Sequence, residues 1–241
     1  LSYLVVSGTE ALVIDPALEP DVYLGIAEAH GVRISGVVDT HVHADHLSRA
    51  RRLSATLSIS LYLPANNRVR YPFQAVADGD RISFGESWLQ ALHTPGHTWE
   101  STCYVLPNGA LFTGDTLFTE GVGRPDLEAT GDEARARAGA LYRSLRRLLE
   151  LPADTLVLPG RTAEPPAFDR RPVVASLGEL AGRIDLLALE EPAFIEAVLA
   201  RIPLPPPNHH RIVELNEAGA WPEDLEALLD LEAGANRCAV R

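Results

Sequence analysis

The stretch His41-Val42-His43-Ala44-Asp45-His46 places four metal-ligand side chains within six residues, in the pattern His-x-His-x-Asp-His. Imidazole nitrogens and a carboxylate oxygen are the ligands that a borderline divalent metal such as zinc or iron prefers. A solvated polar loop would be the alternative. Packing, however, gives no reason to gather three of the chain's eight histidines beside an aspartate. The stretch therefore predicts a metal site.

Apolar residues precede this motif, and residues rich in arginine and leucine follow it. Gly36-Val37-Val38-Asp39-Thr40 is typical of the end of a buried strand, and residues 47–57 are typical of a helix. The candidate ligands would then lie at a strand-to-helix turn, where the functional residues of α/β proteins often collect.

Three further segments end a predicted strand in a polar side chain. They are Thr94-Pro95-Gly96-His97, Thr113-Gly114-Asp115-Thr116 and Leu158-Pro159-Gly160-Arg161. Turns that contain glycine and proline let the backbone approach a small target and fix the side chain that follows. Each segment alone is a weak signal. The histidine cluster followed by Pro-Gly-His and Thr-Gly-Asp in this order is far more specific.

Short apolar runs, turn residues and helical patterns alternate up to about residue 165. Strands in hairpins are followed by a helix, and the same order then repeats. We predict an α/β (α+β) fold with two mixed sheets packed face to face and helices outside. The first domain would span residues 1–165, and residues 166–241 would form a C-terminal helical extension packed on it. The extension would contain a helix over 173–187, a second over 192–202, an extended segment at 203–207 and a short helix that ends near 231.

Composition limits the classes of partner. The net charge is −12, the 21 basic residues are all arginine, and no basic stripe is visible, so we expect no nucleic-acid partner. No apolar run is long enough to cross a bilayer and no signal peptide is visible, so we expect no membrane association and a cytoplasmic location. Cys103 is predicted to be a buried strand thiol, and Cys238 could be free.

The His41–His46 motif, His97 and Asp115 together resemble the metallo-β-lactamase superfamily, over roughly residues 3–160. The resemblance implies a four-layer αβ/βα sandwich. It also implies ligands for up to two metal ions, with Asp115 shared. Metal one would be held by His41, His43, His97 and Asp115, and metal two by Asp45, His46 and Asp115.

The chain departs from that pattern at position 161. The superfamily's final histidine would stand there, but the chain has Arg161. Arginine stays protonated, so it cannot ligate a metal, and its charge would oppose a second cation. We therefore expect one metal. His209 and His210 are candidates for a replacement ligand, although Pro207-Asn208-His209-His210 is more typical of a surface turn.

The segments 114–118 and 121–127 are similar to the glyoxalase II and persulfide dioxygenase branch, and Gly123-Arg124-Pro125-Asp126-Leu127 is closest to persulfide dioxygenases. That similarity implies one iron(II) on His41, His97 and Asp115, a facial triad that leaves positions for oxygen and substrate. His43 and Asp45 would then orient ligands and handle protons.

Two further details concern how the substrate would be held. Arg124 could position a substrate carboxylate or form a salt bridge with Asp126. The tyrosine that helps such dioxygenases to hold glutathione is missing from Arg161-Thr162-Ala163, which leaves the carrier thiol open.

Three functions follow. The first is an iron(II) persulfide dioxygenase that oxidises a low-molecular-weight thiol persulfide to sulfite. The second is a zinc-dependent thioester hydrolase like glyoxalase II, or a related esterase or lactonase, with one or two zinc ions and Asp45 orienting the attacking water. The third is a catalytically weak metal-binding protein, supported only by Arg161. The partner would be a small-molecule thiol persulfide or thioester, and a homodimer is left open.

Overall fold

A first mixed sheet is formed by the N-terminal part of the chain. The computed structural model describes residues 1–162, 171–222, 224–233 and 238–240. The first sheet contains β1 (Tyr3–Ser7), β2 (Glu10–Ile14), β3 (Arg33–Val38), β4 (Ser60–Pro64) and β5 (Gln74–Val76), in that order. β1 and β2 form an antiparallel hairpin, and β2 to β5 run parallel. Helices α1 (Pro20–Ala29) and α2 (Ala50–Leu57) provide the crossovers that parallel neighbours require.

A second mixed sheet follows in the chain. Its strands are β6 (Arg81–Phe84), β7 (Ser87–His93), β8 (Thr102–Val105), β9 (Ala110–Gly114), β11 (Leu156–Pro159) and β12 (Ala175–Ser176), in the spatial order β12-β11-β9-β8-β7-β6. Only the β9–β11 pair is parallel. Two short strands, β10 (Val122–Gly123) and β13 (Ala239–Val240), pair separately.

The two sheets face each other across an apolar core. Alternate residues of their strands point inward, as a pleated strand requires. This core includes Leu12, Ile14, Phe84, Leu89, Tyr104 and Phe112. Helices α1 and α2 cover the outer face of the first sheet. The outer face of the second is covered by α3 (Gly131–Leu148), α4 (Leu177–Arg183) and α5 (Glu191–Ala200). The predicted four-layer sandwich is confirmed.

The long helix α3 shows how its sequence sets its bounds. The Thr130 side chain accepts a hydrogen bond from the backbone of Glu133 at 3.3 Å, which satisfies a free N–H group of the first turn. Asp132 and Glu133 lie near the positive end of the helix dipole, and Arg146 and Arg147 near its negative end. The cap and the charges at the two ends therefore match the observed bounds of the helix.

The C-terminal helices follow the prediction in part: α5 lies where a helix was expected over 192–202, but the first helix differs. The helix expected over 173–187 is divided: a Ser176–Glu179 capping box begins α4, and Ile184, in extended conformation, separates it from a 3-10 helix at Asp185–Ala188. Helices α6 (His209–Ala218) and α7 (Leu225–Glu232) follow. His209 and His210 therefore open a helix instead of forming a surface turn.

The predicted boundary between residues 165 and 166 lies outside the described residues. Residues before and after this boundary belong to one apolar cluster, which contains both Leu141 of α3 and Leu180 of α4. Among the described residues, no helix has the length and apolarity needed to span a membrane.

Candidate metal centre

The polar segments found in the sequence meet at one edge of the sandwich. β7 and β9 are each antiparallel to β8, and β11 is parallel to β9, so all three strands end at the same edge. His97 follows β7, Asp115 follows β9 directly, and Arg161 follows β11. The loop after β3 carries the His41–His46 motif to the same place.

Three buried side chains form a cluster there that fits a divalent metal. His41 Nε2 lies 4.0 Å and His97 Nε2 lies 3.6 Å from Asp115 Oδ2. Neither Nε2 atom has a hydrogen-bond partner among the residues that the structure describes, although both are buried. Buried polar atoms normally have partners. Two unpaired imidazole nitrogens beside a carboxylate are the donor set that zinc or iron(II) takes.

Hydrogen bonds on the far side of each ring leave the Nε2 lone pairs free. His97 Nδ1 lies 2.8 Å from the carbonyl oxygen of Arg124, which can only accept, so Nδ1 carries the proton. His41 Nδ1 lies 2.8 Å from Thr40 Oγ1, whose own proton goes to Asp15 Oδ2 at 2.9 Å. Burial lowers the pKa of both histidines, so both stay neutral and able to ligate.

Asp15 and Thr40 support the cluster, although neither was predicted from the sequence as a site residue. Asp15 directly follows β2, beside the end of β3, and its carboxylate accepts from the backbone N–H of Thr40 at 2.7 Å. Gly114 holds Asp115 close by: it has a φ of +47°, and a Cβ atom there would lie 2.4 Å from Thr40 Oγ1. The sequence signal would have been an aspartate directly after a buried strand.

His43 lies outside the three-residue cluster, and its role as a ligand of metal one stays a prediction. Its Nε2 is 3.3 Å from Asp15 Oδ1 and 3.9 Å from Asp39 Oδ1, and it groups with these two carboxylates and also with Asp45 and His46. Burial alone would lower the pKa of His43, but the two carboxylates raise it to about 10. The geometry therefore fits the supporting role that the dioxygenase resemblance implies.

Arg161 bridges the two carboxylates that the resemblance assigns to metal two. Its Nε–H donates to Asp115 Oδ1 and Oδ2, at 2.8 and 2.6 Å, and its Nη2 donates to Asp45 Oδ1 at 2.7 Å. His46 Nδ1 lies 2.9 Å from the same Asp45 oxygen. Burial alone would raise the pKa of Asp45, but the Arg161 charge holds it well below its usual range. A fixed guanidinium therefore provides the positive charge at this position.

Arg124 is fully buried and has protein partners. It forms a two-point salt bridge with Asp126, both contacts 2.8 Å long, and donates to the carbonyl oxygens of Pro203 and Leu204 at 2.8 and 3.0 Å. These contacts include the salt bridge with Asp126 that the sequence allowed as the alternative. The substrate-binding role of Arg124 stays a prediction.

A polar cavity of about 380 Å³ lies beside the segment that follows His97. Trp99 and Glu100 line it together with Arg68, Glu128 and other residues. Glu100 accepts a hydrogen bond from the backbone of Val42, inside the histidine motif, at 3.2 Å. The cavity wall is therefore joined directly to the metal-binding loop.

Comparisons with known proteins agree with this architecture. Residues 1–161 match the family model of the metallo-β-lactamase superfamily. A hydroxyacylglutathione hydrolase of Rhodospirillum rubrum is 36% identical over 151 residues, which are 61% of this chain and 56% of that protein. The chain thus spans about half the length of the curated relatives it matches.

Solved structures extend the likeness beyond that segment. ETHE1 from Myxococcus xanthus is 31% identical with a TM-score of 0.77, covering 91% of this chain and 94% of that one. A metallo-β-lactamase from Staphylococcus aureus is 28% identical with a TM-score of 0.81, covering 90% and 68%. The chain belongs to the metallo-β-lactamase superfamily, in the branch that contains persulfide dioxygenases and glyoxalase II.

Proposed function

We propose that the protein is an iron(II) persulfide dioxygenase with one metal ion per chain. It would convert a low-molecular-weight thiol persulfide, dioxygen and water into the thiol, sulfite and protons. The observation that carries the proposal is the position of Arg161 between Asp45 and Asp115. A dinuclear hydrolase needs a second metal ion where the Arg161 guanidinium lies, because the two metals in such sites are about 3.5–4 Å apart and share ligands.

The three-residue cluster supports the same reading. His41, His97 and Asp115 would hold the metal from one side, as in the facial triads of non-haem iron oxygenases, which leave positions open. When bound, iron(II) would supply the redox chemistry that couples dioxygen to the sulfur. The protein's own part is to keep both imidazoles neutral and to present one face of the Asp115 carboxylate.

The remaining motif residues would act as positioning groups. Arg161 fixes the plane of the Asp115 carboxylate through the two bonds from its Nε. Asp45 stays ionised beside that guanidinium, so we propose that it accepts hydrogen bonds in the site. His43, held by Asp15, would stabilise the motif loop from behind. Each of these roles depends on electrostatic interactions, which are stronger in a buried site than in water.

A zinc-dependent thioester hydrolase is the second candidate. It is favoured by the names of the curated relatives, which are hydroxyacylglutathione hydrolases. In that case Asp45 would orient a water molecule toward the thioester carbonyl. The salt bridge that Asp45 forms with Arg161 counts against this role, because it engages the carboxylate already.

Metal analysis of tag-free protein purified without oxygen would separate the candidates. We expect about one iron per chain, oxygen uptake on glutathione persulfide or cysteine persulfide, and no hydrolysis of S-lactoylglutathione. Asp115→Asn should abolish iron binding and oxygen uptake, and His30→Gln, which changes an exposed histidine, should change neither. About two zinc ions per chain with thioester hydrolysis would overturn the proposal. One bound metal with neither activity would favour the catalytically weak binding protein.

A further inference from the structure

A second group of metal-ligand side chains lies away from the centre described above. Glu128, His209 and His210 each offer one ligand atom, and these atoms all lie within 4.8 Å of one another. His209 Nε2 is 3.6 Å from Glu128 Oε1, and His210 Nδ1 contacts the same oxygen. Zinc bonds of about 2.0–2.2 Å to nitrogen and oxygen place neighbouring ligand atoms a little over 3 Å apart, which is close to the distance between His209 Nε2 and Glu128 Oε1.

The surrounding hydrogen bonds prepare His209 to ligate. Its Nδ1 lies 3.1 Å from the carbonyl oxygen of Pro206, which fixes the proton on Nδ1 and turns the Nε2 lone pair toward Glu128. The His209 side chain is only 13% exposed, so this orientation is held by packing. His210 is 74% exposed and its ring lies 3.9 Å from that of His209, where it can adjust to an ion.

We propose that Glu128, His209 and His210 form a peripheral site for a divalent transition metal such as zinc. Two imidazole nitrogens and one carboxylate oxygen make a three-ligand set that leaves a position for water. The α6 N-terminus carries positive partial charge, which opposes a cation. The negative charge of the Glu128 carboxylate balances this partial charge. The Glu128 backbone has a left-handed φ of +57°, a conformation that residues other than glycine rarely adopt.

The site would join the C-terminal helices to the metal-binding edge of the sandwich. Leu127 lies next to Glu128, and Val213 lies one helical turn after His209. Both belong to a buried apolar cluster that also contains Val42 and Ala44 of the histidine motif. Further along α6, Asn216 donates to the backbone carbonyl oxygens of His43 and His46, both at 2.9 Å. A metal at the start of α6 would therefore hold the helix that supports the motif loop.

Zinc titration of tag-free, chelator-treated protein would test this site. Glu128→Gln and His210→Gln should each bind one zinc equivalent fewer than His30→Gln, the matched change of an exposed histidine, or bind it at least about tenfold more weakly. The test compares the zinc bound by each variant with the zinc bound by the His30→Gln control. Its result therefore does not depend on which metal, or how many ions, the centre of His41, His97 and Asp115 binds. The peripheral site can thus fail while the proposed dioxygenase stands, and the reverse.

Thermal unfolding provides the second readout. Without metal, the His210→Gln variant should unfold at the same temperature as the unaltered chain, because the side chain is mostly exposed. Added zinc should raise the midpoint of the unaltered chain more than that of the variant, because a ligand that binds only the folded state stabilises it. Equal zinc stoichiometry, affinity and midpoint shifts in all variants would overturn the site.

Discussion

Arg161 donates from its Nε to both carboxylate oxygens of Asp115, and the same guanidinium pairs with Asp45. The Asp115 carboxylate is buried and that of Asp45 is only 12% exposed, and unpaired charges in such places are costly. In a dinuclear site a second metal ion would balance them. Here a side chain of the protein does so permanently, so the chain can hold one metal without leaving an uncompensated pair of aspartates.

Arg161→His should convert the centre into a two-metal site. The change removes the fixed positive charge and adds an imidazole ligand beside Asp45 and Asp115, so we expect bound metal to rise from about one to about two ions per chain. Metal analysis after zinc loading and gel filtration would measure the ratio in a His210→Gln background, which removes a ligand of the peripheral site and so leaves the centre to be counted.

Arg147→His is the matched control for that variant. It adds a histidine on the exposed face of α3, where Arg147 pairs with Asp78, and should leave the ratio unchanged. A ratio that stays at one in Arg161→His, or is already two in the unaltered centre, would contradict the reading of Arg161 as a substitute for the second metal.

Asp15→Asn should weaken metal binding without touching a ligand. Asp15 accepts from Thr40, which orients His41, and it also pairs with His43. Replacing groups that only hydrogen-bond a ligand typically costs about 10–100-fold in metal affinity. Competition with a chromophoric zinc chelator would measure the dissociation constant. Asp132→Asn, an exposed aspartate at the start of α3, should leave it unchanged, and equal affinities of the two variants would remove Asp15 from the site.

The contrast between Asp115 and Asp15 shows how far the sequence could locate the site. Asp115 and His97 follow glycine turns in a recognisable order, so local sequence alone was enough to select them. Asp15 reaches the site only because β2 and β3 are parallel neighbours that end together. A single sequence does not show which strands are adjacent, so the aspartate after the second strand was visible but could not be assigned to the site.

His43 illustrates a second limit, since its spacing from His41 is that of a ligand pair. In the structure its Nε2 lies beside the buried carboxylates of Asp15 and Asp39, a placement that depends on the neighbouring strands and not on the spacing. The layered fold, by contrast, follows from the alternation of apolar runs and turn residues, and these patterns can be recognised in the sequence alone. The division of the helix predicted over 173–187 was also partly readable, because Ser176 and Glu179 form a capping box.

Gly114→Ala should destabilise the protein by at least about 3 kcal/mol, through strain and a clash together. Gly114 has a left-handed φ, and an added Cβ would lie 2.4 Å from Thr40 Oγ1. Gly109→Ala separates the two effects: Gly109 also has a positive φ, of +85°, but a Cβ there would meet nothing within 4 Å. We expect a cost of about 1–2 kcal/mol for that variant. Urea unfolding of both would give the difference, and equal costs would exclude the contact with Thr40 as the cause.

Arg124→Ala should act on stability rather than on substrate binding. The change removes the partner of Asp126 and leaves the partly buried carbonyl oxygens of Pro203 and Leu204 without their donor. Because Asp126 remains partly exposed to solvent, we expect a loss of about 2 kcal/mol in the free energy of unfolding. Denaturant unfolding would measure this loss. The control is Arg183→Ala, which changes an exposed arginine and should cost less than about 0.5 kcal/mol.

The kinetics of the same variant decide between the two roles of Arg124. A structural residue should leave the KM for the persulfide unchanged at temperatures where the variant is folded, because its guanidinium is enclosed by protein groups. A residue that binds a substrate carboxylate should instead raise KM while stability stays as it was, since uniform binding energy is lost from ground and transition states alike. That second pattern would restore Arg124 as a substrate-binding residue and would require its salt bridge with Asp126 to open during turnover.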